Sequence, residues 1–130
     1  MLQHIKKWLE DNAFILAIVA TLIIAYLSLS HIPKFNIGFK IKSSDKYLHA
    51  LAYFFLSLIW YFALQNKIKK NSFKVLLILS LFFYGTILEA LQRGITNYRT
   101  GDFYDILANT AGILLATLLF NKILQWYKTI

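Results

Sequence analysis

Four apolar runs of about twenty residues, at roughly 13–30, 45–64, 73–91 and 103–120, leave this 130-residue chain little room for anything else. A helix rises about 1.5 Å per residue, so about 20 residues cross a hydrocarbon core about 30 Å thick. Lipid offers no hydrogen-bond partner to a bare backbone, so runs of this length cross it as helices. The pattern predicts an all-α membrane protein, a single domain over residues 1–130 with four transmembrane helices and short loops. Only 15% of the residues are charged and 58% are hydrophobic, against about 25% charged in an ordinary soluble domain. The first run sits where a secretory signal would. It ends in no small-x-small cleavage pattern and three similar runs follow, so it is expected to remain as a helix.

The net charge of +8 does not point to nucleic acid, because the lysines lie in short segments beside the spans and leave no basic surface outside the membrane. Anionic lipid headgroups are the expected partners of these lysines. There is no cysteine, which excludes disulfides and thiolate metal sites. The two ends and the 65–74 turn together carry eight Lys and Arg, against six in the 31–46 and 92–102 loops. The positive-inside rule then places both termini in the cytoplasm.

Residues 1–12 set Leu2, Ile5, Trp8 and Leu9 at helical spacing opposite Lys6, Lys7, Glu10 and Asp11, the pattern of an interfacial turn. In "KFNIGFKIK", residues 34–42, Phe35, Ile37, Phe39 and Ile41 alternate with polar or small residues. Period two predicts an extended segment lying along the headgroups or over the helices. Ser43 and Ser44 offer N-caps for the second helix. The pairs Trp60–Tyr61 and Trp126–Tyr127 are expected to be interfacial anchors.

The unusual residues gather at three helix ends that an alternating topology brings to one membrane face, the outer one. Asp45 and His49 are four apart at the start of helix two; Glu89, Gln92 and Arg93 stand at the end of helix three; Asp105, Asn109 and Gly112 step along helix four. An ionised side chain near the centre of a spanning helix costs roughly 2.5–3.5 kcal/mol, so such residues pair or line a wet cavity. The spacing predicts an outward-facing polar pocket. Plainer roles compete: Asp102 and Asp105 suit a helix N-cap and first turn, Gln92 and Asn109 suit interhelical hydrogen bonds, and Lys46 and Arg93 suit snorkelling to headgroups.

Three motifs, "DKYLH" (45–49), "EALQ" (89–92) and "RTGDFYDILANTAG" (99–112), together resemble the signature of the VanZ-like family of small bacterial membrane proteins. The resemblance covers about residues 43–120. It implies a multi-pass protein of the bacterial cytoplasmic membrane and, through the family's founding member, a link to resistance to the glycopeptide teicoplanin. It carries no defined reaction. One departure is Ala116, where relatives often have a second glycine; Gly112-x-x-x-Ala116 still allows close helix packing.

Three functions fit these residues. In the first, Asp45, Lys46, His49, Glu89, Gln92, Arg99, Asp102, Asp105 and Asn109 bind a polar or lipid-linked cell-envelope ligand on the extracytoplasmic face, such as a wall precursor or a glycopeptide, with arginine able to hold phosphate or carboxylate bidentately. In the second, His49, Glu89 and Asp105 do acid-base chemistry on a lipid headgroup. The motifs contain no His-Glu-x-x-His helix and only one histidine, so no metal and no cofactor are expected. In the third, the polar network only locks the helices together.

Overall fold

The computed structural model describes residues 1–29, 44–95 and 103–130, all within or beside four α-helices: α1 (Leu2–Leu29), α2 (Ser44–Ala63), α3 (Asn71–Ile95) and α4 (Phe103–Thr129). The alternating segment 34–42, Ser43, Arg99 and Asp102 lie outside the described residues. Three helices are long and apolar enough to cross a membrane, and α2 adds a shorter apolar stretch, Tyr47–Ala63. Large apolar side chains cover the outside of the bundle, among them Leu22 on α1, Phe55 on α2, Ile87 on α3 and Leu118 on α4. In water this surface would be an aggregation hazard; against lipid it is the expected exterior. The chain is a membrane protein.

Three helices outrun the apolar runs. α1 begins at Leu2, so the amphipathic turn 1–12 continues unbroken into the span, and α3 and α4 extend to Ile95 and Thr129. The extensions are polar or mixed, which suits helix turns that leave the hydrocarbon for the headgroups. At that end the Tyr127 hydroxyl lies 3.2 Å from Glu10 Oε1, and the Lys6 ammonium sits 5.1 Å over the Tyr127 ring. The first and last helices are thereby tied where both termini emerge, beside the tight turn that follows Ala63.

The most extensive backbone contact is between α2 and α4, followed by α1 with α2, α3 with α4, and α1 with α3. The helices therefore follow the cyclic order α1–α2–α4–α3, and α2 and α4 run in the same direction. Gly112 makes the α2–α4 pairing possible. A Cβ there would fall 2.1 Å from the Ala50 carbonyl oxygen and 3.0 Å from the Phe54 nitrogen, both backbone atoms. Ala116, one turn on, is fully buried, so the small-xxx-small stripe lies in the packed interior. Below it the Tyr61 and Thr117 hydroxyls lie 2.6 Å apart, and Tyr61 packs edge-on against Phe120.

Trp60 and Tyr61, expected as interfacial anchors in the last turn of α2, also have partners inside the bundle. Tyr61 is 1% exposed and faces α4, while Trp60 donates through Nε1 to Thr21 Oγ1 at 2.9 Å and meets Phe14 edge-on. The polar atoms of both rings thus find protein partners within the bundle. Trp126 does stand exposed near the end of α4. Thr21 also receives the Tyr84 hydroxyl at its backbone carbonyl, so one residue of α1 joins α2 and α3.

Gly112 and Gly94 provide a matched test. Gly112→Ala drives a methyl into fixed backbone and should cost about 1–3 kcal/mol, the usual range for overpacking. Gly94→Ala meets nothing within 4 Å and should be neutral within about 0.5 kcal/mol. Thermal unfolding in mild detergent reads both; equal melting points would refute the assignment of Gly112 as the contact that sets the α2–α4 distance.

Candidate functional site: a His, Glu and Asp cluster at one end of the bundle

Because the helices alternate in direction, the end of α1, the start of α2, the end of α3 and the start of α4 share one face. Polar side chains buried there come from two helices: Glu89 and Gln92 on α3, Asp105 and Asn109 on α4. Apart from these, Ser57 is the one buried polar residue among the described residues. The interior at this end is thus more polar than the exterior, the reverse of a soluble domain.

His49, on the second turn of α2, places Nε2 3.4 Å from Glu89 Oε1. Asp105, in the first turn of α4, completes a triplet: one donor atom each from His49, Glu89 and Asp105 lie within 4.8 Å of one another. Glu89 is 5% exposed and Asp105 8%. The second carboxylate oxygen of Glu89, Oε2, has no hydrogen-bond partner among the described residues. Nor has Asn109 Oδ1, one turn deeper on α4. The buried end therefore holds more acceptors than the described donors can satisfy, and an unsatisfied buried acceptor costs about 1–3 kcal/mol.

The surrounding residues explain how α3 reaches this cluster. Gln92 donates through Nε2 to the Ser28 carbonyl at 2.7 Å, fastening the end of α3 to the end of α1. Gly85, one turn before Glu89, has no side chain where the Tyr53 ring and the Asn109 amide enter; a Cβ there would lie 3.1 Å from both Tyr53 Cε1 and Asn109 Nδ2. The Tyr53 and Tyr84 rings, 6.3 Å apart, fill the space between the diagonal helices α2 and α3. Deeper still, a partly open cavity of about 210 Å³ is lined by Thr21, Leu56, Trp60, Leu77, Ser80, Leu81 and Tyr84. Its walls are almost wholly apolar, and it shares no residue with the cluster.

Of the nine residues marked from the sequence, His49, Glu89 and Asp105 come together, Asn109 lies one turn below, and Gln92 faces α1. Asp45 and Lys46 lie in the first turn of α2, and no more than their backbone is described. Arg99 and Asp102 lie outside the described residues. Tyr53 and Gly85 went unmarked, although each sits four residues from a marked one, His49 and Glu89. That spacing was the available signal, since residues four apart share a helix face.

The family model for VanZ/LLP1 matches residues 17–125, from the middle of α1 through all of α2 and α3 to most of α4. The chain belongs to the VanZ/LLP1 family. No curated protein and no solved structure matches it. Within this VanZ/LLP1 chain, the Asp-Lys-x-x-His, Glu-x-x-Gln and Asp-x-x-x-Asn-x-x-Gly motifs supply His49, Glu89, Asp105, Asn109 and Gly112, so the motif residues on three helices converge on one buried end.

A double-mutant cycle separates the His49–Glu89 contact from its context. His49→Ala strips the described partner from Glu89 and should cost about 2–3 kcal/mol, the scale for an uncompensated ionised group in a span. In a Glu89→Gln background the same change should cost about 1 kcal/mol less, the coupling of two groups in contact. Strictly additive losses in detergent unfolding would mean that the two side chains do not interact.

Proposed function

We propose that this end of the bundle binds the polar head of a lipid-linked cell-envelope molecule on the extracytoplasmic side of the bacterial cytoplasmic membrane. One observation carries the reading: at this end of the bundle buried Glu89 and Asn109 keep acceptor oxygens without partners among the described residues. Such acceptors suit a head rich in hydroxyl and amide N–H donors, like the sugar and peptide part of a wall precursor. Lys46 and Arg99, which belong to the motifs on this face, suit its phosphates by charge-assisted hydrogen bonds. The apolar cavity between α1, α2 and α3 suits part of a hydrocarbon chain. A protein that holds such a precursor can also modify sensitivity to teicoplanin, and we extend the proposal to that phenotype.

The orientation follows from charge. Lys6, Lys7, Lys67, Lys69, Lys70, Lys74, Lys122 and Lys128 all belong to the end opposite the cluster, and that lysine-rich end is assigned to the cytoplasm. The chain has no native cysteine, so single introduced cysteines report sidedness cleanly. Asn36→Cys should react with a membrane-impermeant maleimide on intact cells and Lys69→Cys only after permeabilisation; the reverse pattern would invert the topology.

Binding itself is measured on the full chain in nanodiscs with a polyprenyl-diphosphate glycopeptide, against phosphatidylglycerol as control. Affinity should fall with rising salt and drop about tenfold in Arg99→Ala. Equal binding by wild type, Arg99→Ala and Glu89→Gln would end this reading. The alternative, an enzyme acting on a lipid headgroup, is favoured by the His49–Glu89 pair, which has the composition of a general acid-base couple. Release of a headgroup, followed by mass spectrometry and lost in His49→Ala, would establish it in place of simple binding.

A further inference from the structure

We propose that His49, Glu89 and Asp105 bind a divalent transition-metal ion, with Mn²⁺ or Zn²⁺ as the ions that suit them. Sequence spacing argued against a metal because the motifs contain a single histidine. Tertiary structure changes the donor count, since it brings one imidazole nitrogen and two carboxylates from three helices within 4.8 Å of one another. Metal bonds to nitrogen and oxygen run roughly 2.0–2.2 Å, so donors around a tetrahedral ion stand about 3.3–3.6 Å apart. The His49 Nε2–Glu89 Oε1 separation of 3.4 Å already has that value. Asp105 offers a carboxylate oxygen within 4.8 Å of both.

Charge and solvation argue in the same direction. Two carboxylates and one imidazole at a mostly buried helix junction carry net negative charge, which is expensive in a low-dielectric setting. A divalent ion removes that cost, and Glu89, 5% exposed and with Oε2 lacking a described partner, can chelate it through both carboxylate oxygens. Asn109 Oδ1, also buried and without a partner among the described residues, adds a neutral oxygen one turn below. The donor chemistry narrows the ion. With no cysteine there is no thiolate to favour copper(I). Calcium takes six to eight oxygens, more than these side chains offer. One imidazole with two carboxylates suits Mn²⁺ or Zn²⁺, and three protein ligands leave coordination positions for water or an incoming phosphate.

The site would exist only in the folded bundle, because its donors come from α2, α3 and α4. Metal binding should then stabilise the fold. The proposal does not depend on which organic ligand, if any, enters the recess.

The experiment uses the full chain in detergent, stripped with chelator and dialysed, in a His4→Ala/His31→Ala background that removes the other two histidines. Titration with Mn²⁺ or Zn²⁺ should give one ion per chain and a raised melting temperature. Glu89→Gln and Asp105→Asn keep side-chain shape and should each weaken binding more than about tenfold, with the melting-temperature rise lost. X-ray absorption on the zinc form should show one imidazole nitrogen and the rest oxygen. Wild type that retains no ion, binding by Asp105→Asn equal to wild type, or a zinc shell of several imidazoles would each overturn the proposal. If Glu89→Gln fails to fold, Asp105→Asn and the absorption spectrum decide.

Discussion

The backbone contact between Gly112 and Ala50 is the constraint on which the rest of this bundle depends. A side chain at position 112 would have to occupy the space of a carbonyl oxygen and an amide nitrogen of α2. Its absence lets two helices that are not adjacent in sequence run side by side in the same direction at short range. In lipid no hydrophobic force pulls helices together, so close van der Waals contact and interhelical hydrogen bonds must do it. The same pair then places Tyr61 against Thr117 and Phe120, and holds His49 and Asp105 at neighbouring heights near the start of both helices.

α3 stands off from this pair, and its separation is filled differently. The Tyr53 and Tyr84 rings occupy the gap, Gly85 admits one of them together with the Asn109 amide, and Gln92 fastens the helix end to Ser28. The helix is thus held by polar contacts near the cluster and by Tyr84 and Thr21 deeper down. An arrangement of this kind brings a carboxylate, Glu89, into a packed interior and leaves one of its oxygens uncommitted. Stability and chemistry draw on the same residues here, so variants in the cluster have to be read by coupling and ligand response as well as by melting temperature.

Much of the fold was legible without coordinates. Runs of about twenty apolar residues predict helices because a bilayer tolerates no unsatisfied backbone, and short connections predict alternating direction. Gly112 and Ala116 were recognisable as a packing stripe once the resemblance to the VanZ-like family drew attention to that spacing. The protein partners of Trp60 and Tyr61 were not legible, because an amphipathic ring signals a need for a polar partner but not where that partner lies. Thr21 and Thr117, ordinary residues of apolar runs, supply those partners from other helices.

The sequence by itself determined that this is a helical membrane protein, that its polar residues gather at one end, and that its charge is skewed toward the other. Those properties are additive over local stretches of chain, through hydropathy, helical period and lysine placement. Only the tertiary structure decided which polar residues meet. His49, Glu89 and Asp105 converge while Gln92 turns to α1, because cyclic order, helix rotation and the height set by Gly112 are properties of pairs of helices. A single histidine in a motif looks poor as a ligand set until two carboxylates from other helices are placed beside it.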